Sequence, residues 1–249
     1  MKIAAVVVLL IAVLVATVIA FLPASLVDGR IASATQGKVR LADSTGTVWD
    51  GSGVLTDSAG TWRVPLAWTV SKADVLRGKH VVVLRPVDGA ASPAGTVEAI
   101  DGGVRVRDFR IDLPAQALFA SLPMRPLPAF GGTVAVAAND LSWTNTAKTG
   151  ALEAHWRGAR VATGDNVADL GTVDLAAAPQ ESRLAGRLTN TGGDVRVDGT
   201  VTVAGGSVAI DATVAPNPGA PANIARALAS VGTPDANGSV RIGWRGSVR

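Results

Sequence analysis

The sequence predicts an all-β protein: one long, curved antiparallel sheet, forming an open groove or a partly closed barrel, with one or two short helices, behind a single N-terminal transmembrane helix. Three observations carry this. A charge-free apolar run occupies residues 3–22, apolar residues then recur with a period of two through most of the chain, and Gly, Asn, Asp and Pro separate the recurring runs. Period two is the spacing of strands with one buried face, and the separating residues mark turns.

Composition agrees with a folded chain of this kind. Of 249 residues, 48% are hydrophobic but only 4% aromatic, with no tyrosine, 28 glycines and 13 prolines. Small apolar residues, chiefly Ala and Val, therefore carry the hydrophobicity. The charged fraction of 17% lies below the roughly 25% of ordinary soluble domains, yet the apolar content is far above that of disordered chains. A net charge of +3 makes no basic footprint for nucleic acid. Cysteine is absent, which excludes disulfides, thiolate metal sites and a cysteine nucleophile.

The apolar run opens with Ile3, ends with Leu22 and contains one polar residue, Thr17. At 1.5 Å per residue, about 20 residues cross a ~30 Å hydrocarbon core. The run is longer than the apolar core of a signal peptide, and it ends in Phe21-Leu22-Pro23 rather than a small-x-small cleavage site. It reads as an uncleaved anchor. Lys2 and the amino terminus are the positive charges before it, so the positive-inside rule puts that end in the cytoplasm, an asymmetry that Arg30, Lys38 and Arg40 reduce. The boundaries that follow are 1–2 as a cytoplasmic tail, 3–22 as the transmembrane helix, 23–44 as a juxtamembrane segment with the first strand, and 45–249 as a β domain on the outer side of a membrane crossed once.

The clearest strand runs over 61–70, where Trp62, Val64, Leu66, Trp68 and Val70 alternate with Thr61, Arg63 and Thr69. The best hairpin joins Val195, Val197, Val201 and Val203 to Val208, Ile210, Ala212 and Val214 across Gly205-Gly206. Weaker alternations occupy 45–56, 80–87, 95–100, 103–112, 132–143, 151–157, 168–177, 183–189 and 239–247. In one of them Val104 and Val106 lie on even positions while Phe109, Ile111 and Leu113 lie on odd ones. Such a parity slip requires a bulge or bend. Two segments read as helix, 114–122 and 220–231, the second carrying Ile224, Leu228 and Val231 at helical spacing with Gly232 at its end. A short helical turn also fits 71–77.

Catalytic motifs are missing from the sequence. There is no phosphate-binding GxxxxGK[ST], no HExxH, no GxSxG and no GxGxxG between a strand and a helix. Of the two histidines, His155 sits beside Trp156 on the polar parity of a strand, and His80 opens the Val81-Val82-Val83-Leu84 run. The first reads as a solvated side chain and the second as a strand edge. Asp43, Asp50, Asp57, Asp101, Asp165 and Asp194 mostly adjoin Gly, Ser, Thr or Asn, which is turn chemistry. No catalytic residue, cofactor or metal ligand is assigned.

The tryptophans are the remaining candidates. Trp62 and Trp68, with Val64 and Leu66 between them, and Trp143, Trp156 and Trp244 are the large anchors of a chain packed with Ala and Val. They fill a core, or, in a sheet that curls without closing, line an apolar groove that holds an acyl chain or a partner's hydrophobic segment.

The chain resembles protein N of the type II secretion system, the GspN family. The resemblance rests on Gly46-Thr47-Val48-Trp49-Asp50-Gly51-Ser52-Gly53 after the anchor, Pro65-Leu66-Ala67-Trp68, Leu113-Pro114-Ala115 before Leu118, Gly131-Gly132-Thr133-Val134, Leu141-Ser142-Trp143, and Leu188-Thr189-Asn190-Thr191-Gly192-Gly193-Asp194 with Gly199 after it. It implies a non-enzymatic accessory component of the inner-membrane platform, which supports export of folded proteins across the outer membrane of Gram-negative bacteria. Its implied partners are other inner-membrane and periplasmic secretion components. A more distant likeness to AsmA-like envelope proteins, which are associated with lipid transport, implies the alternative of a lipid-binding or lipid-transfer module in the periplasm.

Overall fold

The computed structural model describes residues 22–87, 92–119, 128–144, 148–163, 166–181, 183–204 and 207–247. Apart from Leu22, the expected membrane span lies outside the described residues, as does the Gly205-Gly206 turn. Among the described residues no helix is long and apolar enough to cross a membrane. The chain divides into two units, Met1–Pro93 and Ala94–Arg249.

In the first unit, helix α1 (Ser25–Ala34) precedes a meander of β1 (Val39–Gly46), β2 (Asp50–Asp57), β3 (Arg63–Val70) and β4 (His80–Arg85), with α2 (Lys72–Leu76) between the last two strands. Neighbouring strands pair antiparallel. The period-two parity of β3 is visible in its burial, since Val64, Leu66 and Trp68 are buried while Arg63 is exposed. Ala24, Leu41, Leu66 and Trp68 form the centre of the core, and Val27 and Ile31 of α1 pack on it. The alternation over 45–56 does not form one strand, because the Gly46–Asp50 turn divides it between β1 and β2.

Helix α1 has no counterpart in the sequence reading, and the reason is physical. Its N-cap is Ala24, with no side-chain cap, and Gly29 interrupts it. Tertiary contacts hold it instead. Asp28 accepts hydrogen bonds from Arg40 Nε at 3.0 Å and from the Leu41 amide at 2.8 Å, while Thr35 Oγ1 accepts from the Val39 amide at 3.1 Å. These contacts cover backbone donors of β1. At the other connection, Ser71 caps α2 by accepting from the Asp74 amide, as expected for the turn over 71–77.

The second unit is a meander of nine strands: β5 (Ala94–Ile100), β6 (Gly103–Pro114), β7 (Ala129–Thr144), β8 (Lys148–Thr163), β9 (Asn166–Gln180), β10 (Arg183–Thr191), β11 (Val195–Ala204), β12 (Ser207–Pro216) and β13 (Val240–Ser247). Each strand pairs antiparallel with its chain neighbour. Helix α3 (Ala115–Phe119) follows β6, and α4 (Ala222–Val231) lies between β12 and β13. Ile224 and Leu228 place α4 on Val195, Val197, Ala212, Val214 and Val240, each large aliphatic side chain contributing roughly 1.5–3 kcal/mol on burial. Gly232 ends α4 in extended conformation, φ −168°, not in the left-handed one expected of a helix-ending glycine. It is needed because a Cβ there would lie 2.5 Å from Val240 Cγ1.

The parity slip is a bulge, and it recurs. Between Ala94↔Arg110 and Thr96↔Arg107, Asp108 and Phe109 of β6 face the single residue Gly95. The same shift sets Asp43 and Ser44 against Gly53, Asp140 and Leu141 against Gly150, and Gly158 and Ala159 against Gly132. The leading residue of each pair has positive φ: Asp43 51°, Asp108 49°, Asp140 45°, Gly158 59°. Aspartate tolerates this region better than most L residues. The facing residue must be glycine, because a Cβ on Gly95 would lie 2.6 Å from Phe109 Cα, and one on Gly150 the same distance from Leu141 Cα.

Two predictions follow from these contacts. Gly95→Ala destabilises the fold by about 2 kcal/mol or more, read as a lower urea midpoint at unchanged slope. Asp28→Ala costs about 1–2 kcal/mol at neutral pH, and its effect depends on pH. The Arg40 guanidinium, helped by the Leu41 amide, lowers the Asp28 carboxyl from 3.8 to about 2. The lowered value favours the folded state above the ordinary carboxylate range, and that gain disappears as pH falls through about 2. The stability difference between the two proteins should therefore narrow between about pH 4 and 2.

Candidate functional site

Two of the motifs singled out in the sequence close turns, and a third lies at a bulge. In the first unit Thr47 Oγ1 accepts hydrogen bonds from the amides of Trp49 and Asp50, both at 3.2 Å, while the Thr47 amide donates to Asp50 O at 2.8 Å. Trp68 Nε1 then donates to Val48 O at 3.1 Å. Its ring occupies the space beside Gly51, where a Cβ would lie 2.6 Å from Trp68 Cζ2. The Asp50 carboxylate, opposite Thr69 in the register, accepts from Thr69 Oγ1 at 3.0 Å and from Arg85 at 3.1 Å. Thr47 and Trp68 thus satisfy the backbone of one turn, and Gly51 leaves room for the indole.

The second unit uses the same device twice more. Trp156 Nε1 donates to Gly131 O at 2.8 Å, and the indole packs with Phe119 and Phe130 at centroid distances of 5.1 and 6.1 Å. Gln116 of α3 accepts from the Phe130 amide at 3.1 Å. Farther along, the Asn190 amide donates to Leu170 O at 2.8 Å, Gly192 O at 3.2 Å and Val195 O at 2.7 Å, while its Oδ1 accepts from the Val197 amide at 2.6 Å. Asp194 Oδ2 accepts from the Asp169 amide at 3.0 Å, and Gly193, at φ 75°, leaves no room for a Cβ beside Asp169 O. Asn190 and Asp194 together join β9, the β10–β11 turn and the start of β11.

Of the seven apolar candidates, four lie in the first unit and three in the second. Val64 at 2%, Leu66 at 8% and Trp68 at 3% exposure are buried in the first unit, and Trp62, just before β3, is half-buried. In the second unit Trp143 lies beneath the Lys148 ammonium, 4.6 Å from the ring centroid. Trp156 belongs to the phenylalanine cluster, and Trp244 faces Ile210 on β13 with its ring over Gly246. All three are half-buried. A surface depression of about 860 Å³ over β8–β11 is lined by Ala176, Ala178, Ala185, Glu153, Arg187 and Asp198 among others, and none of the seven lines it.

Many titratable groups lie in cross-strand pairs. Arg187 meets Asp198 at 2.7 Å, Arg157 meets Asp112 at 3.3 Å, and Arg241 pairs with Asp211. Such pairs contribute roughly 0–1 kcal/mol each. Arg241 holds the Asp211 carboxyl below its ordinary range. His155 Nδ1 lies 2.6 Å from Asp174 Oδ1. On its other side the register places Ala135, so the pair has no hydroxyl nucleophile beside the imidazole in that row. Among the described residues no three His, Cys, Asp or Glu side chains are grouped to hold a metal ion.

This geometry defines an antiparallel meander whose marked residues fasten strand ends. The chain belongs to the family of type II secretion system protein N, whose family model matches residues 37–243. The match confirms the resemblance drawn from the motifs and assigns the chain an accessory role in type II secretion. Comparison with curated proteins and with solved structures finds no match.

Asn190 supplies the test of the fastening role. Asn190→Ala removes donors to three carbonyls and the acceptor for Val197, and it should cost about 2–3 kcal/mol. Hydrogen exchange should show the loss first at the Leu170, Asp194 and Val197 amides.

Proposed function

We propose that this protein is a non-enzymatic accessory component of the inner-membrane platform of the type II secretion apparatus, supporting export of folded proteins across the outer membrane. The observation that carries the reading is the family match over residues 37–243. Residues 3–22 anchor the chain, residues 1–2 face the cytoplasm and the β domain lies in the periplasm. The sequence supports this with an apolar run of membrane-spanning length and a cation before it.

Its work is scaffolding, and contact through a strand edge suits the fold. Among the described residues β13 pairs only with β12, so its other edge offers backbone groups to a partner strand. The β1 edge differs, since Asp28 and Thr35 already accept from the Leu41 and Val39 amides. On β13 the apolar residues Val240, Ile242 and Trp244 alternate with exposed Arg241 and Arg245, a pattern that favours a partner strand with an acidic residue opposite Arg245.

Deletion of the gene should leave exported cargo in the periplasm and lower its extracellular amount several-fold, with recovery on expression of the full chain. A photocrosslinker at Arg245 should capture a secretion component identifiable by mass. Unchanged secretion after deletion, with no secretion component captured, would overturn the reading.

A further inference from the structure

The point where the apolar run ends is bonded to the folded domain without slack. Leu22 O accepts from the Val48 amide at 2.9 Å, and Ala24 N donates to Gly46 O at 3.2 Å. Between them Pro23 forms a bridge with Thr47. The last residue of the run therefore sits on the β1–β2 turn. A meander alternates its ends, so the β3–β4 connection lies at the same end, as the Val70 amide shows by donating to Trp49 O at 2.6 Å. The β2–β3 loop lies at the other.

That connection has an unusual surface. Leu76 of α2 is 88% exposed, against 50% for Leu26 and 49% for Val167. Near it in the chain stand Lys72, Arg77 and Lys79 with the acid Asp74, which lies 3.8 Å from Arg77, while Asp50 of the adjoining turn is paired with Arg85. Trp49 adjoins the group, with Lys72 Nζ 5.8 Å from its ring centroid. The opposite loop contains Ser58, Ala59, Gly60, Thr61 and the half-buried Trp62, with no charged residue. A single exposed leucine on a surface is ordinary. An exposed leucine among cations, beside a tryptophan, at the end where a membrane-length segment terminates, has the composition of a bilayer interface contact.

We propose that this end of the first unit, comprising the Gly46–Asp50 turn and α2, rests on an anionic lipid surface, with Leu76 entering the headgroup boundary and Arg77 and Lys79 facing lipid phosphates. The inference rests on residues 3–22 being the membrane anchor. It makes α2 a second, shallow contact that fixes the tilt of β1–β4 over the bilayer, where an anchor alone leaves tilt free.

The absence of cysteine allows single-site labelling. Full-length Leu76→Cys and Ala59→Cys proteins, each carrying an environment-sensitive fluorophore, are reconstituted into vesicles in which about a quarter of the lipid is phosphatidylglycerol, and quenched by a headgroup-level nitroxide lipid. Flotation reports the anchor independently. The expected result is co-flotation, with quenching at position 76 at least about threefold above that at position 59. The excess should fall by about half or more when Arg77→Glu and Lys79→Glu are added. Co-flotation with equal quenching at the two positions overturns the inference and leaves the anchor standing. Failure to float overturns the anchor, and the inference with it. A leucine-depth signal indifferent to the two charge reversals overturns the assignment to anionic lipid.

Discussion

The constraint on which the structure depends is that two residues repeatedly share the space of one across the ladder. At four bulges the pair is led by a residue with positive φ, and the residue facing it is glycine: Gly53, Gly95, Gly150 and Gly132. Each bulge sharpens local twist and turns the strand. Long strands such as Ala129–Thr144 and Lys148–Thr163 keep an apolar face only because the bulges restore parity after each bend. A Cβ at Gly95, Gly132 or Gly150 would collide with backbone across the ladder, and one at Gly53 with the Leu41 side chain.

Bending a sheet of small residues leaves little side-chain mass to stabilise its ends. Close approach is built into the same rows. A Cβ on Gly199 would lie 2.6 Å from that of Ala212, and one on Gly186 the same distance from that of Ala177, so adjacent strands approach more tightly there than larger residues permit. Several of the large or amide-bearing side chains therefore bond carbonyls at turns and beside bulges. Trp68 on Val48 O, Trp156 on Gly131 O and Asn190 on three carbonyls are one solution applied to three places. An unsatisfied carbonyl at a half-buried turn costs about 1–3 kcal/mol, comparable to the burial of an aliphatic side chain.

Much of this was legible because alternation and turn composition are local. The alternation at 95–100 became Ala94–Ile100, and that at 103–112 became Gly103–Pro114. The slip between Val106 and Phe109 located a bulge whose centre, Asp108, has the required positive φ. Strand ends ran longer than alternation indicated, as at 132–143, since Gly131 and Gly132 carry no side chain to register a face. Helix α1 escaped because it lacks a capping side chain and its apolar set is short, Ala24, Val27 and Ile31, while Asp28 finds Arg40 twelve residues away. The convergence of Asn190 on Leu170, Gly192 and Val195 likewise has no spacing that expresses it. It exists only once β9 and β11 lie on either side of β10.

The covered edge of β1 gives the first unit a direction. With the Val39 and Leu41 amides already occupied by Thr35 and Asp28, strands can be added on one side only, and each strand supplies the template for the next residues of the chain. In the second unit, too, every pairing is between chain neighbours, so loop closure stays short at each step. Assembly of this kind resembles polymerisation from a blocked end. A chain delivered N-terminus first reaches partial order before its last strand arrives, and the strand that has just folded is always the one that exposes an adhesive edge.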